Sequence, residues 1–182
     1  MPRLRCMLPK LDAAAMSTLH AWPWYLLAVV VFLLDHLTKW IASTRLTYAE
    51  PVTVLPVFDF TLVHNHGAAF SFLSDAGGWQ RWFFAAIAIG VSGWIAWWLR
   101  SLPAGKAFLA AGLALILGGA LGNLVDRLVL GYVVDFLSVH WGPHYFPAFN
   151  LADSAITVGA GMMIIDSLFL DREAPANADQ AR

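Results

Sequence analysis

Charged residues are scarce in this chain: Asp, Glu, Lys and Arg make up 13% of its 182 residues, and the formal net charge is -1. So weak a field presents no basic surface to nucleic acid, which excludes that class of partner. Cysteine is almost missing as well. A lone Cys6 rules out an internal disulfide framework and a cysteine-based zinc site, and with no apolar run ahead of it Cys6 does not resemble a lipid-attachment site. What the chain has in abundance is apolar: 59% of its residues are hydrophobic, and its mean hydropathy of +0.65 is that of a membrane protein.

Four runs, 22–42, 79–99, 105–125 and 151–170, approach the ~20 residues that a helix needs to cross ~30 Å of hydrocarbon. Eight of the nine tryptophans, all but Trp94, fall near the ends of these runs, where an amphipathic ring rests at headgroup level. The first run follows Arg3, Arg5 and Lys10, as a cleaved signal peptide would. It continues through "TKWIA" beyond a normal signal core, however, and is read as a retained span. Basic residues outside the spans divide unevenly: Arg3, Arg5, Lys10, Arg100, Lys106, Arg172 and Arg182 against Arg45, Arg81 and Arg127. By the positive-inside rule the segment 1–21 and the polar tail 171–182 are cytoplasmic, and loops 43–78 and 126–150 face outward. No internal repeat is evident. Gly118 and Gly122, with Gly90, Gly93, Gly159 and Gly161, are small sites that let helix backbones approach closely.

The expected fold is thus an all-α membrane protein, a four-helix transmembrane bundle with minor additions outside the membrane. In the first outer loop "VTVLPVFDFTLVHN" has two short β-branched and aromatic runs divided by Pro56, which predicts a small extracytoplasmic β-sheet. "GAAFSFL" predicts a short interfacial helix that ends at "DAGG".

Within this frame the polar residues gather at one level, the outer one. Asp35 and Lys39 are four apart on one helix face in the favoured acid-first order, an ion pair that makes a charged span tolerable. Lys39 can stretch its ammonium to the outer interface. Asn123, Asp126 and Arg127 share a face at the end of the third span. As a helix terminus, Arg127 would favour the negative end of the dipole and Asn123 would bond free carbonyls, or Arg127 would clamp an outer loop or a substrate carbonyl. In "FNLADS" Asn150 resembles an N-cap, and Asp153 the acidic partner of a capping box. Asp135, in "YVVDFL", has neither cap geometry nor a nearby base in sequence, and a buried carboxylate needs a partner. The 17 residues between Asp135 and Asp153, with Gly142, Pro143 and Pro147, can fold back and bring the two together. Two carboxyl groups that close share a proton, and such a pair can activate water and protonate a leaving amine. Asp166 lies towards the opposite surface and reads as an interfacial carboxylate without a role.

Rival chemistries are poorly supplied. His64 with His66, or His140 with His144, could be imagined as zinc ligands, but no HExxH helix accompanies them. Ser71, Ser74, Ser138 and Ser154 lack a base and an elbow motif. A small proton-coupled transporter or ion relay using Asp35, Lys39, Asp135 and Asp153 remains the alternative to an enzyme, because ionisable groups in a membrane also mark ion paths.

Together "DHLTK" (35–39), "NHGAAF" (65–70), "GNLVDR" (122–127), "VVDF" (133–136) and "FNLADS" (149–154) resemble the motifs of the lipoprotein signal peptidase family, the type II signal peptidases of bacteria. They occur in family order, and the match spans about 22–170. The resemblance implies a cofactor-free aspartic peptidase within the bacterial inner membrane, with Asp135 and Asp153 as its catalytic dyad near the periplasmic face. Asp35, Lys39, Asn65, Gly67, Asn123, Arg127 and Asn150 match positions that shape or support the site, and Asp126 matches as structure. The implied partners are membrane lipid and a prolipoprotein, cut just before a cysteine that already carries diacylglycerol. Globomycin-type cyclic peptides are the implied inhibitors.

Overall fold

A computed structural model describes residues 13–67 and 78–170, with side chains from residue 20 onward. Its helices are α1 (Ala13–Arg45), α2 (Gln80–Ser101), α3 (Ala107–Val129) and α4 (Leu151–Ile165), and a π-helical turn, Asp166–Leu170, prolongs α4. The strands are β1 (Val52–Leu55), β2 (Phe58–Asn65), β3 (Val133–Trp141) and β4 (His144–Tyr145). All four helices, α4 taken with its π turn, are long and apolar enough to cross a membrane. The chain is a multi-pass membrane protein.

The hub is α3. In its most apolar stretch 72% of residues are buried, against 28% in α1, 22% in α2 and 17% in α4, so three helices surround one and turn their own apolar faces outward. Lipid tails give apolar side chains no reason to leave the bilayer, so close packing has to hold the helices together. Glycines on α3 allow it: a Cβ on Gly118 would stand 2.5 Å from the Ala28 carbonyl oxygen of α1, and one on Gly119 2.5 Å from that of Ala152 of α4. Helix α2 stops at Leu102, whose extended backbone (ψ 136°) is what a residue before Pro103 adopts.

The strands form one antiparallel sheet in the order β1-β2-β3-β4. The sheet was expected from the first outer loop alone, yet half of it comes from the second. Residues 133–136 are buried in succession and do not alternate, so only the second half of β3, Leu137–Trp141, alternates apolar with polar residues and offered a strand signal, which the sequence reading passed over. Pairing of β2 with β3 sets Val63 opposite Asp135 and Asn65 opposite Val133. After β3 the chain reverses at Gly142 (φ 57°), forms β4, and comes back to lie beside its own start: Phe149 donates to the Leu137 carbonyl at 3.0 Å, and its carbonyl accepts from Leu137 at 2.9 Å. That return places the first turn of α4 against β3. The expected interfacial helix falls mostly on 68–77, outside the described residues. Asp166, expected to be interfacial and idle, is 4% exposed and pairs with Lys106 at 3.8 Å, joining the far ends of α4 and α3.

Candidate active site

Polar side chains meet where the sheet caps one end of the bundle, in two linked clusters. In the first, the Lys39 ammonium forms ion pairs with Asp35 Oδ2 at 2.8 Å and Asp126 Oδ2 at 2.9 Å, and donates to Asn123 Oδ1 at 2.8 Å. Asp35 Oδ1 accepts from the Ala152 N–H in the first turn of α4 at 2.9 Å, and Asp126 Oδ2 from the Val134 N–H at 3.2 Å. Here the sequence reading needs correction: Lys39 is 3% exposed and turns into the bundle instead of stretching to the interface. Two acids and an amide buried with it outweigh hydration at the surface. Asp35 reaches this position beside Gly122, whose missing side chain leaves room for the carboxylate.

The second cluster is built on Asn150. As N-cap of α4 its side chain accepts from the Asp153 N–H at 2.9 Å, while Asp153 Oδ2 accepts from the Asn150 N–H at 3.3 Å, completing the expected capping box. The same side chain donates to Asp135 Oδ1 at 2.8 Å and to Asn123 Oδ1 at 3.1 Å. Cap and carboxylate pair are therefore one structure and not rival readings. Asp135 Oδ2 accepts from Asn65 Nδ2 at 3.0 Å, and Asn65 is itself aimed by the Gly67 N–H, which donates to its Oδ1 at 3.0 Å. Asp153 Oδ1 accepts from Asn123 Nδ2 at 2.7 Å. Asn123 thus serves three side chains and does not bond free helix carbonyls. Arg127 donates to the Gly67 carbonyl at 3.3 Å, to the Asn123 carbonyl at 3.3 Å, and lies over the Phe84 ring at 5.3 Å. It clamps the segment that follows β2.

The two carboxylates differ in exposure. Asp135 is 1% exposed, whereas Asp153 is half-buried and lines a cavity of about 510 Å³. Burial, then the charge of Asp153, push the Asp135 carboxyl up to about 7, against the opposing hydrogen bonds of Asn65 and Asn150. Among the described residues no Lys, Arg or His lies within ion-pair distance of either group. The cavity has apolar walls, among them Phe146, Pro147, Phe149, Ile156 and Val158, and polar groups at one end: Asn65, Asn123, Arg127 and Asp153. Its apolar lining was missed in the sequence, where nothing marks one Phe or Ile as different from its many neighbours. Adjacency to "FNLADS" was the available signal.

The histidines are otherwise engaged. His64 stacks on Tyr132 with centroids 4.0 Å apart, and His140 lies on Tyr145 at 4.8 Å and faces Asp59 at 3.3 Å. Among the described residues no three His, Cys, Asp or Glu converge as metal ligands. Ser154 spends its hydroxyl on the Asn150 carbonyl at 2.9 Å.

Fold and site together define a polytopic membrane protein whose bundle ends in two carboxylates, one buried and one half-buried, beside an apolar cavity. Residues 27–169 match the family model described as signal peptidase (SPase) II. The lipoprotein signal peptidase of Acinetobacter baumannii is 56% identical over 160 residues, covering 88% of this chain and 91% of that protein. The lipoprotein signal peptidase of Pseudomonas aeruginosa is 57% identical over 146 residues, 79% of this chain and 86% of that one. A solved bacterial membrane enzyme, determined by the in meso method at 2.3 Å resolution, superposes with a TM-score of 0.73 at 31% identity, covering 85% of this chain and 94% of its own. The chain belongs to the signal peptidase II family, and is an enzyme of the aspartic-peptidase type.

Proposed function

We propose that Asp135 and Asp153 are the catalytic dyad of an endopeptidase that removes signal peptides from bacterial prolipoproteins, cutting before a diacylglyceryl-modified cysteine. The observation that carries this reading is the single Asn150 side chain that holds Asp135 and fixes the backbone of Asp153. One proton shared by the pair is what water activation needs. Asp135, raised to about 7 by burial and by its neighbour, holds that proton, and Asp153, open to the cavity, is the base. Water gives a proton to Asp153 as its oxygen attacks the scissile carbonyl carbon. Asp135 hands its own proton to the developing oxyanion. Collapse of the tetrahedral intermediate breaks the C–N bond, the Asp153 proton passes to the leaving amine, and the oxyanion proton returns to Asp135. The apolar cavity suits acyl chains and apolar side chains beside the cut, and globomycin-type cyclic peptides would compete for it.

Asn65, Asn123 and Asn150 orient the dyad, Arg127 and Gly67 hold the adjoining loop, and Asp35 and Lys39 brace the scaffold beneath. The bias of basic residues supports cytoplasmic termini, with 1–21 and 171–182 on that side of the inner membrane and the dyad near the periplasmic face. A proton or ion relay is disfavoured because the buried charges occupy the two ends of the bundle. Lys106 and Asp126 are separated along α3 by about 30 Å at 1.5 Å per residue.

The test is cleavage of a lipidated, lipobox-bearing precursor by purified protein. Asp135→Asn and Asp153→Asn are each expected to abolish turnover in a folded protein, and a chelator to leave the parent unaffected. Undiminished cleavage by either variant would refute the dyad, and inhibition by chelator would point to a metal.

A further inference from the structure

A second cleft, of about 330 Å³, lies at the same end of the bundle but behind the catalytic strand. Successive residues of a strand face opposite sides, so Phe136 turns away from Asp135 and lines this cleft. Ile41, Ala42 and Leu46 of the α1 end form one wall, and Phe60 of β2 joins Phe136 on the other. The cleft presents no polar surface. Its single hydroxyl, on Thr38, is turned back onto the Leu34 and Asp35 carbonyls, both at 2.9 Å. Arg45, the last residue of α1, borders it as an exposed cation, and no described acid pairs with it.

The surroundings show what such a cleft meets. On the α1 side Leu37 is 49% exposed and Trp40 64%, an apolar helix face ending in an interfacial ring. On the other side all four residues of β1 are exposed, three of them Val52, Val54 and Leu55. The mouth therefore opens at the boundary between hydrocarbon and water, with a cation at its polar edge. A site that is wholly apolar within and singly positive at the rim is complementary to an amphiphile with a negative head.

We propose that this cleft binds one anionic phospholipid, an acyl chain against Phe60 and Phe136 and the headgroup phosphate on Arg45. Bound there, the lipid packs against the reverse side of the strand that holds Asp135, and does not compete with substrate in the cavity in front.

Native mass spectrometry of the full chain in detergent, supplied with phosphatidylglycerol or phosphatidylcholine, tests the site. The parent should retain one phosphatidylglycerol about fivefold more readily than phosphatidylcholine, the ratio that about 1 kcal/mol per interfacial cation gives. Arg45→Gln, an exposed substitution, should bring that ratio to about one. Ile41→Trp should reduce retention of both lipids, whereas Val158→Trp, which fills the other cavity, should change neither. Equal retention by the parent, or a preference that survives Arg45→Gln, would overturn the proposal. Loss of lipid with Val158→Trp in place of Ile41→Trp would move the lipid to the carboxylate cavity and overturn it equally.

Discussion

Two pairs of carboxylates lie within one end of this bundle, and they are kept in opposite ways. Asp35 and Asp126 share the Lys39 ammonium and each accept a backbone N–H. Among the described residues Asp135 and Asp153 bond only to amides: the side chains of Asn65, Asn123 and Asn150 and, for Asp153, the Asn150 backbone N–H. An ammonium among carboxylates offsets part of the cost of burying them as charges and makes a rigid strut. Neutral amides orient a carboxylate without cancelling its charge, which is the setting that the proposed dyad needs to keep a proton. The strut and the proposed reactive pair are built from the same side chain and differ in the partners it is given.

The comparison can be broken most completely at the reactive pair. Asp135→Asn should lower cleavage at least about a thousandfold, as expected when a group acting in the transition state is lost, yet lower the unfolding temperature only slightly, because the new amide removes a buried ionisable group but its NH2 cannot accept one of the two hydrogen bonds from Asn65 and Asn150. A large drop in the unfolding temperature would show that Asp135 is a strut too. The reverse outcome is expected for Lys39→Met: it leaves two buried acids uncompensated, a loss of about 3–5 kcal/mol, to be read as a lower unfolding temperature and yield before any activity is measured. Asn150→Ala falls between. It removes the cap, about 1 kcal/mol, and frees Asp135, so activity should fall far more than stability, compared by assaying at temperatures where the variant is folded.

The smallest effect is the pH dependence. Raised to about 7, the Asp135 carboxyl binds its proton more tightly folded than unfolded, where aspartate titrates near ~3.9. Stability should therefore decline as pH rises from about 4 to about 7, and cleavage should fall on the alkaline side as the shared proton is lost. The Asn65 hydrogen bond favours the ionised form, so Asn65→Ala should carry the alkaline limb to higher pH. A limb that moves downward or stays fixed would separate Asp135 from the shared proton.

Much of this was legible along the chain. Asp35 and Lys39 pair at four residues' spacing, and Asn150 and Asp153 cap a helix, because both interactions close within one or two helical turns. The apolar runs gave the bundle for the same reason: length and hydropathy are local properties. The alternation of 137–141 was there to be read, but the start of β3, which carries Asp135, was not legible, since residues 133–136 are buried on both faces and lose the alternation that marks strands. Nor was the direction of Lys39, which depends on Asp126 and Asn123, more than eighty residues away.

Composition and local spacing were enough to establish a membrane bundle whose polar residues gather mainly at one end, because the bilayer imposes its rules on each segment separately. Long-range packing was needed to make a site of that end. Asn65 meets Asp135 across seventy positions, and Asn123 meets Asp153 across thirty. Such contacts exist only after β3 has joined the sheet and the chain has returned to begin α4. Whether a buried acid finds a cation, an amide or another acid depends on which distant segments arrive beside it, and that is a property of the folded chain as a whole.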